Sequence, residues 1–365
     1  MPTDARLNAF QLLLPAWFEK VARDLPWRRT RDPYQIWLSE IMLQQTRVDQ
    51  AIPYFLRFTS AYPTVESLAI SELDDVLRLW EGLGYYARAR NLHKAARQVV
   101  ETIPNHRIPD TYADIIQLPG IGPYTAAAIL SIAFDKAHAV LDGNVSRVLT
   151  RVFAIGEDVK ASATKKRLRT LANALLPNTR PGRYNEAMME LGATVCTPTT
   201  PRCASCPLLN VCASFSMGDP TAFPVSKKKA PIPHYQISVG LIRDNIGRIL
   251  IQKRPEDGLL GGLWEFPGGK QEVGESLKET CVRELREELG IEVAVSKRFH
   301  RLAHAYTHFK ITLHAFSCQI ERGEVCSRLG QPTRWVMPDE LYDYAFPRAN
   351  RRLIEQLLQA KDAHA

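Results

Sequence analysis

The sequence lacks any apolar run approaching the roughly 20 residues of a membrane-spanning helix. Its opening, MPTDARLNAFQLLLPAWFEK, lacks a basic stretch, an apolar block and a small-residue cleavage site in that order, so no signal peptide is expected. Internal repeats are absent. A strong charge of one sign is missing too: the net charge is +8 over 365 residues, about +4 on each side of residue 226. Such an excess suits a polyanionic partner without requiring one. Hydrophobic residues at 45% and charged residues at 24% exclude a disordered tail, a collagen-like fibre and a small disulfide scaffold. The length exceeds one typical domain.

Three of the seven cysteines, Cys281, Cys318 and Cys326, have no ligand-like spacing. The other four are Cys196-x6-Cys203-x2-Cys206-x5-Cys212. An odd total with one tight cluster argues for a metal site in a reducing compartment. Four close thiolates suit a tetrahedral zinc or a four-iron cluster, and spacing alone does not choose.

Residues 1–213 read as helices separated by short Pro- and Gly-containing breaks. Residues 214–233 read as a linker, with Gly218, several prolines and the run Lys227-Lys228-Lys229. Residues 234–365 read as mixed α+β. Gln236–Arg243 and Arg248–Arg254 are β-rich runs split by Asp244-Asn245-Ile246-Gly247, which predicts a hairpin. Helical patterns follow at Ser276–Leu289 and Arg348–Gln359.

In the helical part, Leu118-Pro119-Gly120-Ile121-Gly122-Pro123-Tyr124 joins two helical patterns. Gly120 and Gly122 permit a tight turn, and the helix start near Tyr124 offers free N–H groups to a phosphate. Asp142, or Asn144, is the default N-cap of the next helix. Glu40 lies in the mostly apolar stretch Trp37–Thr46. A carboxylate there is costly unless paired or functional, and burial would let it donate a proton near neutral pH.

With helix-hairpin-helix, aspartate and four cysteines in that order, residues 1–213 resemble the endonuclease III-type superfamily of DNA glycosylases. Ser39-Glu40-Ile41-Met42-Leu43-Gln44-Gln45-Thr46 and Gly82-Leu83-Gly84-Tyr85-Tyr86-Ala87-Arg88-Ala89-Arg90 are similar to the MutY family, which removes adenine mispaired with 8-oxoguanine. The resemblance implies an all-α helix-hairpin-helix glycosylase domain whose loop 196–212 holds a [4Fe-4S] cluster on Cys196, Cys203, Cys206 and Cys212. It implies that Glu40 protonates the purine while Asp142 stays ionised beside an oxocarbenium-like sugar, a division of labour seen in glycoside cleavage. Tyr124 and Asn144 would position and polarise those two groups. Trp27, Arg28, Leu43 and Glu186 would surround the flipped adenine. Gln45 and Tyr85 would fill or pry the base stack, with Gln44, Thr46, Gly120 and Gly122 also on DNA. Tyr124 stands where the superfamily's lyases carry a lysine, so no Schiff base forms there and water completes the reaction. The partner implied is double-stranded DNA with A:8-oxoG or A:G mispairs. The protein is expected as a cytoplasmic, nucleoid-associated monomer.

Gly269-x5-Glu275-x7-Arg283-Glu284-Leu285-Arg286-Glu287-Glu288-Leu289-Gly290-Ile291 matches the full Nudix box, and Gly262–Lys270 resembles MutT. Glu284, Glu287 and Glu288 share one helix face, and with Gly269 they are expected at a Mg2+ or Mn2+ site. Residues 234–365 are thus expected as an α+β Nudix-like domain. In the MutY family this box is usually eroded, and a Phe-Ser-His segment inspects 8-oxoguanine. The matching segment here is Tyr306-Thr307-His308. Two other readings stand beside adenine excision: hydrolysis of oxidised dGTP by the Nudix half, and lesion binding without catalysis. The acid on an apolar helix argues against the last.

Overall fold

The helix carrying Glu40 begins at Pro33, where proline sets φ and Asp32 accepts from the Tyr34 N–H at 3.0 Å. In this computed structural model, which describes residues 2–226, 231–256, 258–306, 308–328 and 330–362, Pro33–Leu43 is buried from Tyr34 through Met42 apart from Gln35. Pro123–Phe134 is likewise buried along most of its length. Such helices are apolar all round because they are walled by other helices rather than by water. Pro33–Leu43 is followed by Val48–Ala61, and the chain breaks between the two helices where Gln45 adopts φ +58°.

The chain divides into two units: residues 1–70 with 91–229, and residues 71–90 with 230–365. The first unit is helical. In it Pro181–Thr194 packs against both Pro123–Phe134 and Gly143–Val152. Two glycines permit this. A Cβ on Gly182 would lie 2.4 Å from the Ser131 carbonyl oxygen, and one on Gly192 would lie 2.5 Å from Asn144 Cβ. Backbones therefore meet at both ends of one helix, which draws three helices toward a common point.

The second unit holds two sheets. β1 (His234–Ile242), β4 (Gly268–Lys270), β5 (Glu292–Ala305) and β6 (Lys310–Arg322) run in the order β4-β1-β6-β5, with β1 and β6 parallel. β2 (Ile249–Lys253), β3 (Trp264–Glu265) and β7 (Thr333–Val336) run β3-β2-β7. The predicted hairpin is therefore corrected. The chain does turn at Asp244–Gly247, where the Gly247 N–H donates to the Asp244 carbonyl at 3.1 Å, but only an Arg243–Ile249 bridge joins the arms. A strand has two edges, and β1 spends both on β4 and β6, leaving β2 to find other partners. Helix Leu277–Leu289 opens with a capping box between Ser276 and Glu279. Residues 71–90 add helix Leu73–Trp80, tied in by Lys253–Asp74 at 2.5 Å and Arg351–Glu81 at 2.6 Å.

Candidate active site

Glu40 is 4% exposed. Burial raises its pKa to about 7; the Tyr124 hydroxyl pulls it down, Asp142 and Glu186 push it up, and Arg28 lowers it. Tyr124 Oη donates to Glu40 Oε2 at 2.7 Å and touches Met189 Sδ at 3.2 Å. Burial and then the Glu40 charge hold the phenol well above its ordinary range, so it remains a donor. A neutral donor steadies the carboxyl without supplying a cation that would strip its proton.

A cavity of about 160 Å3 in the first unit is lined by Glu40, Tyr124, Asp142 and Asn144 together with Trp27, Arg28, Leu43 and Glu186. The candidate acid, the aspartate and the adenine-pocket residues expected from sequence thus share one space. Trp27 packs edge-on against Phe55, with ring centroids 5.4 Å apart. Asp142 is the N-cap of Gly143–Val152: one oxygen accepts from the Val145 N–H at 2.7 Å and the other from Asn144 Nδ2 at 2.9 Å. Both bonds suit an ionised acceptor. Asn144 Oδ1 in turn accepts from Arg147 at 2.8 Å, and Arg147 also donates to the carbonyls of Cys196 and Gly192 at 2.7 Å.

Residues 38–174 match the HhH-GPD superfamily base excision DNA repair protein family, and residues 238–356 match the NUDIX domain family. The human protein named adenine DNA glycosylase is 36% identical over 405 aligned positions, which span 96% of this chain and 74% of that one. The chain belongs to the adenine DNA glycosylase family. Among solved structures, a thermostable thymine-DNA glycosylase is 29% identical with a TM-score of 0.54, covering 59% of this chain and 98% of its own. A trapped endonuclease III–DNA covalent intermediate, 21% identical with a TM-score of 0.51, covers 60% and 99% and shares the fold.

Other residues line the same cavity, among them Glu190 and Met189, which escaped the sequence reading. Glu190 is 1% exposed and binds Arg23 at 2.7 Å and Arg28 at 2.9 Å. Met189 backs Tyr124. Glu190 lies four residues after Glu186, the spacing of one helix face, which was the available signal.

The hairpin and wedge positions lie on strained backbone. Gly120 has φ +80°, and a Cβ there would lie 2.8 Å from Asn91 Cβ, so both the turn and the close approach require glycine. Gly122 caps Pro123–Phe134 without any side-chain partner for the helix N–H groups. That helix starts at Pro123 rather than Tyr124. Gln45 (φ +58°) and Tyr85 (φ +49°) both adopt the left-handed region, at roughly 1–3 kcal/mol each. Gln45 is exposed, and among the described residues the buried Tyr85 hydroxyl has no hydrogen-bond partner. Gln44 Nε2 donates to Thr125 at 3.2 Å, and Thr46 leans on the Gln44 carbonyl.

Cys196, Cys203, Cys206 and Cys212 line a single small pocket with Arg151, whose guanidinium lies 3.4 Å from Cys196 Sγ. Burial, with the neighbouring cysteines adding to it, pushes the Cys206 thiol up to about 12. Among the described residues no group of three or more His, Cys, Asp or Glu side chains is gathered tightly enough to hold a metal ion. The donor set nevertheless fits a thiolate-ligated cluster: four soft sulfurs around one space, beside a cation that offsets their charge.

In the second unit, Tyr306 is sandwiched rather than free. It stacks on Phe309 at 4.6 Å and meets His304 edge-on at 4.5 Å, and burial raises its phenol to about 12. His308 is exposed, 6.3 Å from the Tyr85 ring, and Thr307 lies outside the described residues. The carboxylates expected at a Mg2+ or Mn2+ site lie around one arginine: Arg283 binds Glu284 at 3.0 Å, Glu287 at 3.1 Å and Glu275 at 2.8 Å. Gln252 Nε2 and the Gly268 N–H donate to Glu288, while Gly269 lets Glu284 approach to where a Cβ would meet it at 2.2 Å. Gly269, Glu284 and Glu288 line a cavity of about 640 Å3; Glu287 points elsewhere.

Proposed function

We propose that this chain is a monofunctional DNA glycosylase that removes adenine paired with 8-oxoguanine, and adenine paired with guanine, from double-stranded DNA. The observation that carries the reading is a buried Glu40 that holds a proton near neutral pH in the same cavity as a doubly hydrogen-bonded Asp142. With the base swung out, Glu40 donates its proton to the purine ring and the leaving group departs neutral. Asp142 stays anionic and stabilises the positive sugar. Tyr124 and Asn144 hold the two carboxyls in place, and Trp27, Arg28, Leu43 and Glu186 bound the adenine. Tyr124 is not an amine, which supports hydrolysis over Schiff-base chemistry. Gly120 and Gly122 meet phosphate, and the strained Gln45 and Tyr85, with Gln44 and Thr46, meet the opened stack. Tyr306, Thr307 and His308 belong to the segment that inspects 8-oxoguanine.

Cys196, Cys203, Cys206 and Cys212 would hold a [4Fe-4S] cluster, which supplies a rigid, charged anchor for the loop that carries them. A monomer working on the nucleoid fits the rest. Residues 1–213, the linker 214–233 and residues 234–365 are the functional divisions. A duplex containing A:8-oxoG is expected to yield an alkali-labile abasic site, and Glu40→Gln to bind without cutting. Normal cutting by that variant overturns the assignment. Visible absorption of an iron–sulfur centre should be lost in Cys203→Ala, and a colourless wild type overturns the cluster.

A second reading, uptake of a free oxidised guanine nucleotide by the Nudix half, is favoured by one observation. Asn350 lines the 640 Å3 cavity, and among the described residues its buried Oδ1 has no hydrogen-bond partner. Calorimetric titration with 8-oxo-dGMP tests it, with Asn350→Ala as the binding-deficient control.

A further inference from the structure

Arg28 reaches into the glycosylase cavity with every face of its guanidinium held. Nε lies 3.6 Å from Glu186, Nη1 donates to the Arg23 carbonyl at 3.1 Å, and Nη2 donates to Glu190 at 2.9 Å. Glu186 and Glu190 stand one turn apart on Pro181–Thr194, so one helix face grips one cation at two heights. Glu190 also accepts twice from the Arg23 side chain, at 2.7 and 2.9 Å. Burial would raise Glu190, but hydrogen bonds from Arg23 and Arg28 outweigh it and keep the group below its ordinary range. It is therefore a permanent anion inside the fold.

We propose that Glu190 is a positioning residue of the glycosylase site, clamping Arg28 in the adenine cavity and acting on Glu40 only through that arginine. The inference rests on Glu40 being the proton donor. The groups facing Glu40 are Tyr124 from Pro123–Phe134, Asp142 from the cap of Gly143–Val152, Glu186 from Pro181–Thr194 and Arg28 from the turn Pro26–Arg28. Glu190 is not among them. Arg28 is the one cation in the set. While Glu190 neutralises it, Arg28 can touch a flipped base without taking the proton from Glu40. Freed from that anion, Arg28 acts on Glu40 as a full positive charge and favours its ionised form.

The test is single-turnover excision from A:8-oxoG duplex against pH, using the full chain. The wild-type rate should fall as pH rises through the Glu40 transition; a wild type without excision overturns the underlying reading, not the clamp alone. In Glu190→Gln the falling limb should move about one unit toward acid, giving about tenfold slower excision above it. An unmoved or upward-moved limb overturns the clamp. A merely structural role would lower the rate equally at every pH. Arg28→Gln combined with Glu190→Gln removes both members of that pair and leaves only the more exposed Arg23 without its carboxylate, while Glu186 keeps Arg183. In that background Glu190→Gln should shift the limb no further than Arg28→Gln alone. An equal shift with and without Arg28 would show that Glu190 acts directly, and would overturn the proposal. Glu190→Asp, which keeps the charge, should keep the wild-type limb.

Discussion

Each unit holds one glutamate whose pKa desolvation raises to about 7, and the two have different partners. Glu40 is steadied by the neutral Tyr124 hydroxyl. Glu265 is steadied by the guanidinium of Arg254, with Glu288 and Glu284 pushing the other way. Around Glu40 anions outnumber the single cation, Arg28. Around the Nudix helix, Arg283 binds three carboxylates, and the foremost of its effects is to hold Glu275 down to about 2. Burial outweighs the partner at both, so each keeps a proton near neutral pH, Glu40 beside a neutral donor and Glu265 in spite of a cation. The Nudix box is complete in sequence; in it Arg283 holds Glu275, Glu284 and Glu287, while Glu288 accepts from Gln252 and the Gly268 N–H.

The sharpest way to break this comparison is chemical. Glu40→Gln should cost about a thousandfold or more in excision, because the transferable proton is gone. Asp142→Ser should cost a hundred- to a thousandfold while the helix stays capped, since serine caps as well as aspartate. Both are read by single-turnover rates on A:8-oxoG duplex. The matching change in the other unit, Glu265→Gln, should leave excision of A opposite G within about twofold, because Glu265 is not among the residues lining the Glu40 cavity.

The next effect is on stability and runs against activity. Glu40 has a folded pKa above its unfolded one, so its contribution is complete below about pH 4.5 and is lost as pH rises through about 7. The full loss is about 3 kcal/mol from a shift of this size. Glu40→Gln carries no charge to bury. The inactive variant should therefore melt higher than wild type at alkaline pH and alike at acid pH, which thermal unfolding at two pH values will read.

How much of this was legible in the sequence depends on the reach of each contact. Glu40 on an apolar helix, Asp142 at a cap and four close cysteines are local patterns, and local patterns survive in one dimension. The helical and α+β halves were legible for the same reason. The Tyr124–Glu40 bond spans 84 positions and the Arg28–Glu190 bond 162, so nothing near either residue announces its partner. The β1–β2 hairpin failed because pairing depends on which edges distant strands have already taken. The attachment of residues 71–90 to the second unit rests on Asp74 and Glu81 meeting Lys253 and Arg351, pairs whose members lie 179 and 270 positions apart. Arg283 was legible as an offsetting charge; its grip on three carboxylates was not.

A smaller effect sharpens the cation side of the comparison. Arg254→Met leaves Glu265 buried without its guanidinium. The cost should be about 1–3 kcal/mol once the pH exceeds about 7, with less below, because a protonated Glu265 needs no cation. Denaturant unfolding at pH 6 and pH 8.5 separates the two. A loss independent of pH would mean that Arg254 matters for packing rather than for charge.

The smallest expected effect compares the two N-caps. Asp142 and Ser276 both close the first turn of a helix, accepting at 2.7 Å from Val145 and at 3.3 Å from Glu279. Ser276→Asp should change stability by only a few tenths of a kcal/mol, since aspartate caps equally well and its charge suits the helix N-terminus. The nearby Glu279, already part of the capping box, offsets that gain by repulsion. Thermal unfolding should thus show a shift of no more than about 2 °C, with excision untouched. Set beside Asp142→Ser, the exchange isolates what a carboxylate adds at a cap. At position 276 it adds almost nothing. At position 142 the same exchange in reverse should cost about a hundred- to a thousandfold in excision, because there the side chain lines the cavity it shares with Glu40.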